Sequence, residues 1–292
     1  MPAPDAHLRS AENQRGIVAM LLAMAFFLVN DTLVKLASAS LPTGQLIFIR
    51  GVFASVWLVG MCAHRGLLPQ WRALADRAVW TRGLLDGAAS LVYLTALFHL
   101  PLANATAINL ASPLFILVLA VAFFGERLRP GRTLAAVVGF SGVLLVIRPT
   151  TEGFNAYAWL CVLGTLMHAA RDVMTRRIGH EVPGLLITLA TALCVTVMSG
   201  LWSLSEPWQP AEPLALAWLA MASVCLALAY HLIIVAMRHG EMGVIAPFRY
   251  SALLYAVVLG YLIWGEVPDG WTWIGIGLLV SAGLSLIWSN RK

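Results

Sequence analysis

Two short stretches decide the fold: Ala122-Phe123-Phe124-Gly125-Glu126 and, 140 positions later, Leu262-Ile263-Trp264-Gly265-Glu266. Each ends a long apolar run in a Gly-Glu pair. The same shift carries Ala96 onto Ala236 and His99 onto His239, and a shift of 141 carries Asp31 onto Asp172 and Pro42 onto Pro183. Working outward from these pairs, each half of the chain holds five long apolar segments. A unit with an odd number of membrane spans enters the bilayer upside down the second time. The expectation is therefore two inverted-topology repeats, residues 1–150 and 151–292, with a solute site where the halves meet.

The composition fits a membrane and excludes a soluble domain. Of 292 residues, 60% are hydrophobic and only 11% charged, with a mean hydropathy of +0.82. A soluble domain carries about 25% charged residues. The apolar runs cover roughly residues 16–36, 45–63, 79–98, 103–124 and 133–147, then 156–174, 184–204, 213–236, 242–264 and 270–288. Crossing about 30 Å of hydrocarbon takes about 20 helical residues, so ten spans nearly exhaust the chain. The runs are continuous and about twice the length of a barrel strand. The expected fold class is thus an all-α membrane protein with ten transmembrane helices.

Orientation follows from the basic residues. With the amino terminus inside, the inner segments hold Arg9, Arg15, Arg65, Arg72, Arg77, Arg127, Arg129, Arg132, Arg176, Arg177, Arg238, Arg291 and Lys292. The outer loops hold essentially Arg148, with Lys35 at the outer end of the first span. The positive-inside rule then places both termini in the cytoplasm of a cell with a bacterial-type inner membrane. The net charge of +5 describes that inner face and carries no argument for nucleic acid. Asp31 and Lys35 interrupt the first apolar run, which argues against a cleavable leader. Cys62, Cys161, Cys194 and Cys225 lie within spans without metal-ligand spacing and read as small hydrophobes. No metal or cofactor is expected, and no GxxxxGK[ST] loop is present for nucleotide drive.

The fourth span reads Pro113, eleven mostly apolar residues, then Gly125-Glu126-Arg127-Leu128. The fifth follows with Gly139 and Gly142, the ninth ends in Gly265-Glu266 and Pro268, and the tenth carries Gly275, Gly277 and Gly283. The second span opens with Phe48-Ile49-Arg50-Gly51. With the ten-span duplication, this pattern resembles the EamA-type branch of the drug/metabolite transporter superfamily over nearly the whole chain. In the second half Leu253 stands opposite Pro113, Thr191 opposite Arg50 and Val267 in place of Arg127. Within that branch, Asn109-Leu110-Ala111-Ser112-Pro113 is similar to the matching stretch of YddG-type amino-acid exporters. The resemblance implies outward movement of amino acids, including aromatic or other apolar ones, by alternating access.

Charges inside a bilayer are expensive and usually face a cavity or a partner. At 1.5 Å per residue, Asp31 lies about 22 Å above the inner end of its span and Arg50 at about 21 Å, which predicts one ion pair or gate. Asp86 and Arg249 share a level about 11–12 Å above the inner end, which predicts a second. Asp31 with Lys35 and Asp172 with Arg176 are i,i+4 pairs; Lys35, Arg171 and Arg176 are near enough to span ends to snorkel. Pro113 frees the Asn109 carbonyl, and Pro247 loosens the ninth span beside Arg249 and Tyr250. The candidate substrate-binding residues are Asn30, Asp86, Tyr93, Asn109, His168, Tyr230, Arg249 and Tyr250. Cationic, amide and aromatic groups together suit a zwitterion with an apolar side chain; helix packing is the plainer role for the same groups.

Other classes leave weaker signatures. Gly139-Phe140-Ser141-Gly142 matches the GxSG pattern of rhomboid-type intramembrane proteases, with His168 one span later, but these glycines fall where the transporter pattern expects close helix packing. A channel would need a continuous polar stripe, and the polar groups are instead scattered over several spans. The expected protein is therefore no enzyme. It is a carrier of a small molecule, embedded in lipid as a monomer or weak homo-oligomer. A nucleobase or drug-like cation is the alternative cargo.

Overall fold

The computed structural model describes residues 6–124, 130–147, 156–175, 182–239 and 242–289. Among these residues all regular structure is helical. The helices are α1 Ala6–Ala37, α2 Thr43–His64, α3 Arg77–His99, α4 Leu102–Asn109, α5 Ser112–Phe124, α6 Pro130–Ile147, α7 Ala156–Thr175, α8 Gly184–Ser203, α9 Pro213–His239, α10 Met242–Ile245, α11 Ser251–Trp264 and α12 Gly270–Ser289. Helices α4 and α5 together form the fourth span. The ninth is α10, a 3₁₀ stretch Ala246–Tyr250 and α11.

Local chemistry sets the boundaries. Pro42, Pro101 and Pro183 stand immediately before α2, α4 and α8, where a fixed φ and a missing N–H suit a helix start. Asp76 begins α3 by accepting the Ala78 N–H at 2.8 Å. Among the described residues six helices are long and apolar enough to cross a membrane, and residues 133–147 and 270–285 form shorter apolar helices. Helices α3 and α7 fall outside this set because they carry Arg82, Asp86, Arg171 and Asp172.

The bundle is apolar outside and small inside. Val56, Leu201 and Leu262 are 65–70% exposed, as a lipid-facing surface requires. Buried contact positions hold Ala23, Ala96, Ala105, Ala169 and Ala222, and small residues let backbones approach. Helix α1 packs on α9, α3 on α7 and α8, α2 on α8 and α9, and α6 on α12. Exchanging the first five spans with the second five turns the α1–α9 contact into the α7–α3 contact. The α2–α8 and α6–α12 contacts map onto themselves. The α6–α12 crossing depends on glycine: a Cβ on Gly142 would lie 2.7 Å from the Gly275 carbonyl oxygen, and one on Gly275 would lie 2.7 Å from that of Gly142.

Both helices marked by proline are interrupted. Helix α4 ends at Asn109 and α5 begins at Ser112. Pro113 has no N–H to offer the Asn109 carbonyl, and the Leu114 N–H turns to the Ala111 carbonyl at 2.9 Å. In the ninth span the loosening around Pro247 extends through a full 3₁₀ segment. Helix α11 packs on α4, so the two interrupted spans meet.

Candidate substrate site

The face where α1 begins is the N-terminal face, and the face where α1 ends is the opposite one. Two polar clusters lie between them, one built around Asp31 and one around Asp86.

The Asp31 cluster joins α1, α2 and α3. The Asn30 amide donates to Asp31 Oδ1 at 2.9 Å, and the Tyr93 hydroxyl donates to Oδ2 at 3.5 Å. Asn109, beside the break in the fourth span, interacts with the same phenol. Asn30 is 2% exposed, and its own Oδ1 has no partner. Arg50 is close enough for its charge to act on Asp31, but the expected ion pair is not made: among the described residues no Arg50 nitrogen comes within 4 Å of a carboxylate oxygen. Equal depth brings the two charges into one region, while the side chains stop short of contact. Tyr230 of α9 is also within electrostatic reach of Arg50, and its ring meets Phe27 edge-on at 5.3 Å. Tyr230 is 41% exposed although charged groups of α2, α3 and α7 act on it.

The Asp86 cluster is tighter and nearer the N-terminal face. Arg171 Nη1 donates to Asp86 Oδ1 at 2.7 Å, and its Nη2 lies 2.8 Å from Asp172 Oδ1. Arg82, one turn before Asp86, donates from Nε to Thr175 at 2.8 Å and from Nη1 to Thr191 at 2.7 Å. His168 Nε2 stands 3.9 Å from Asp86, and its ring lies 5.8 Å from that of Tyr93. His168 and Tyr93 thus bridge the two clusters.

This arrangement corrects the pairing of Asp86 with Arg249. Helix α3 packs on α7 and α8, so the partner at that depth is Arg171, and Arg249 is exposed on the 3₁₀ segment. Tyr250 turns toward α12, where a Cβ on Gly283 would overlap its hydroxyl. The structure thus gathers Asn30, Asp31, Arg50, Tyr93, Asn109, Tyr230, His168 and Asp86, and leaves Arg249 and Tyr250 apart from them. Sequence reasoning passed over Arg82, although its i,i+4 spacing to Asp86 was a usable signal. It also read Arg171 as a snorkelling end residue.

The opposite face carries a separate junction. Lys35 does not pair with Asp31. Its Nζ bonds Glu266 Oε1 at 2.8 Å and the Leu100 carbonyl at 2.7 Å, and lies 4.5 Å from the Trp264 ring centre. The other carboxylate oxygen of Glu266 accepts the Leu102 N–H at 2.8 Å at the start of α4. Gly265 ends α11 with φ +68°, a left-handed cap that favours glycine, and this turn aims Glu266 back at Lys35. That is the physical content of the Gly265-Glu266 motif. Glu126, Arg127, Arg176 and the side chain of His239 lie outside the described residues. Beside the junction, Pro101, Asn104, Glu266, Asp269 and Thr272 line part of a cavity of about 430 Å³. Glu206 accepts the Gly44 N–H at 2.8 Å, and Gln45 exchanges hydrogen bonds with the Gln209 backbone at 2.7 and 2.9 Å.

A helical bundle with two interrupted spans and buried charges gathered beside them has the build of a membrane carrier. The model of the EamA-like transporter family matches the chain twice, at residues 14–148 and 155–288, and the chain belongs to that family. It is 28% identical over 286 residues to a riboflavin transporter of Rhizobium johnstonii, covering 95% of this chain and 92% of that one. It is 26% identical over 280 residues to the pseudopaline exporter CntI of Pseudomonas aeruginosa, covering 93% and 95%. An S-adenosylmethionine uptake transporter of Rickettsia felis is 28% identical over 281 residues, covering 95% and 94%. A solved crystal structure at 20% identity superposes with a TM-score of 0.64 over 97% of this chain and 98% of that one, a likeness of fold. The protein is a transporter and not an enzyme. Ser141 is exposed, and its hydroxyl donates to the Val137 carbonyl at 2.9 Å, as a helix-surface serine does.

Proposed function

We propose that this protein is a secondary transporter that exports small amphipathic metabolites, most of all amino acids, by alternating access. The two halves, residues 1–150 and 151–292, form inverted repeats in the bacterial inner membrane, with both termini cytoplasmic. The double match to one family model and the reciprocal helix contacts support the repeat. The concentration of Arg and Lys in the N-terminal-face connections supports the orientation. Named relatives include both exporters and uptake systems, so the outward direction rests on the likeness of residues 109–113 to amino-acid exporters.

The observation that carries the reading is the break in the fourth span beside the Asp31 cluster. Interrupted helices expose backbone polar groups only where protein or water receives them, and buried charges accompany solute paths. Asn30, Asp31, Arg50, Tyr93, Asn109 and Tyr230 then contact the solute. The Arg171–Asp86–Arg82 network closes the cytoplasmic side, and Lys35–Glu266 closes the outer side. A planar heterocyclic cargo is the second reading. The Phe27–Tyr230 edge contact favours it, as do relatives that move riboflavin and S-adenosylmethionine. Liposomes containing the purified protein, offered labelled amino acids, riboflavin and S-adenosylmethionine with and without a pH gradient, test the proposal. Counterflow of at least one amino acid supports a carrier. Flux of riboflavin or S-adenosylmethionine alone moves the assignment to the second reading, and flux without counterflow contradicts alternating access.

A further inference from the structure

Arg50 is 8% exposed, yet among the described residues its guanidinium donates to no carboxylate, hydroxyl or carbonyl. Its nitrogens are not sealed away, unlike Nε of Arg171, which is buried without a partner. The head group therefore meets interior space. Asp31 presents the opposite charge to the same region, held among the described residues by two neutral donors, the Asn30 amide and the Tyr93 hydroxyl. A half-buried acid and a buried base that attract each other but do not touch leave both charges incompletely satisfied. A solute with one charge of each sign completes both.

We propose that Arg50 and Asp31 grip the two ends of a zwitterionic solute, the carboxylate on Arg50 and the ammonium on Asp31. The planar fork of Arg50 suits a carboxylate in bidentate fashion. Asp31 accepts the ammonium while Asn30 and Tyr93 keep its oxygens oriented. Tyr230, within reach of Arg50 and in contact with Phe27, supplies an aromatic wall for an apolar side chain. This assignment rests on the amino-acid reading of the preceding section. It moves the carboxylate anchor from Arg249 to Arg50.

The test uses three probes on wild-type protein, Arg50→Gln and Asp31→Asn in liposomes. The probes are L-phenylalanine, its methyl ester, which lacks the carboxylate, and 3-phenylpropionate, which lacks the ammonium. Wild type should favour phenylalanine over each analogue by about thirtyfold, the ratio a hydrogen bond to a charged group sets. Arg50→Gln should erase the phenylalanine-to-ester ratio and keep the phenylalanine-to-phenylpropionate ratio. Asp31→Asn should do the reverse. Each ratio compares two solutes on one protein, so loss of folded material cancels. Variants without flux are titrated with the same probes by melting-temperature shift in detergent. An Arg50→Gln protein that retains the ester ratio overturns the anchor while leaving the amino-acid reading intact. A wild-type protein that moves no amino acid removes both.

Discussion

Asp31 and Asp86 are both carboxylates inside the bundle with arginines nearby, the first half-buried and the second buried, and the structure treats them differently. Asp86 is gripped by Arg171 at 2.7 Å, with Arg82 tied to Thr175 and Thr191 around it. Among the described residues Asp31 has only neutral donors in contact, and Arg50 stands off. The tight cluster fastens α3 to α7 and α8, and removing one member strands the others. The loose cluster fastens little, so its energy is available to a ligand. Charge alone would have ranked the two alike; partner geometry separates the clamp from the proposed site.

The largest expected effect comes from the clamp. Asp86→Ala should destabilise the detergent-solubilised protein by about 3–5 kcal/mol, because Arg171 then keeps a buried charge with Asp172 alone. Thermal melting reads this, and a melting temperature equal to wild type would dissolve the contrast. Gly283→Ala comes next, at about 1–3 kcal/mol, since the new methyl overlaps the Tyr250 hydroxyl. A second change, Tyr250→Leu, should recover part of that loss in the same melt. If it does not, Tyr250 is not seated on α12. Glu266→Gln should lower stability by about 1.5 kcal/mol through the weakened bond to Lys35. It should also raise the reactivity of a cysteine placed at Asn104 toward an impermeant reagent added from outside. Unchanged labelling would separate the Lys35–Glu266 junction from outer closure. The smallest effect is Ser141→Ala, within about 0.5 kcal/mol and with wild-type flux. A large loss of flux there would reopen the role of the GxSG stretch.

Much of the fold was legible because a bilayer leaves few solutions for long apolar runs. The ten segments and the interruptions at Pro113 and Pro247 could be read from residue spacing. The partners of the charged residues could not. Counting 1.5 Å per residue gives the depth of a side chain but not its direction around the helix, nor which helix faces it. By depth Asp86 matches Arg249, while Arg171 lies nearer a span end, and only the packing of α3 on α7 chooses Arg171. Lys35 and Asp31 share a helical face, and the sequence pairs them. In the fold the longer lysine reaches past the end of α1 to Leu100 and Glu266. Glu266 itself was visible as half of a repeated motif, while its role needed the left-handed turn at Gly265.

The contrast between clamp and site reduces to thermal melting with and without L-phenylalanine. The comparison is between Arg50→Gln and Asp86→Asn. The account predicts that Arg50→Gln melts near the wild-type temperature and loses the ligand-induced rise. Asp86→Asn should melt well below wild type and keep that rise. The reverse pattern, a stable Asp86→Asn protein blind to ligand beside an unstable Arg50→Gln protein that still responds, would contradict it.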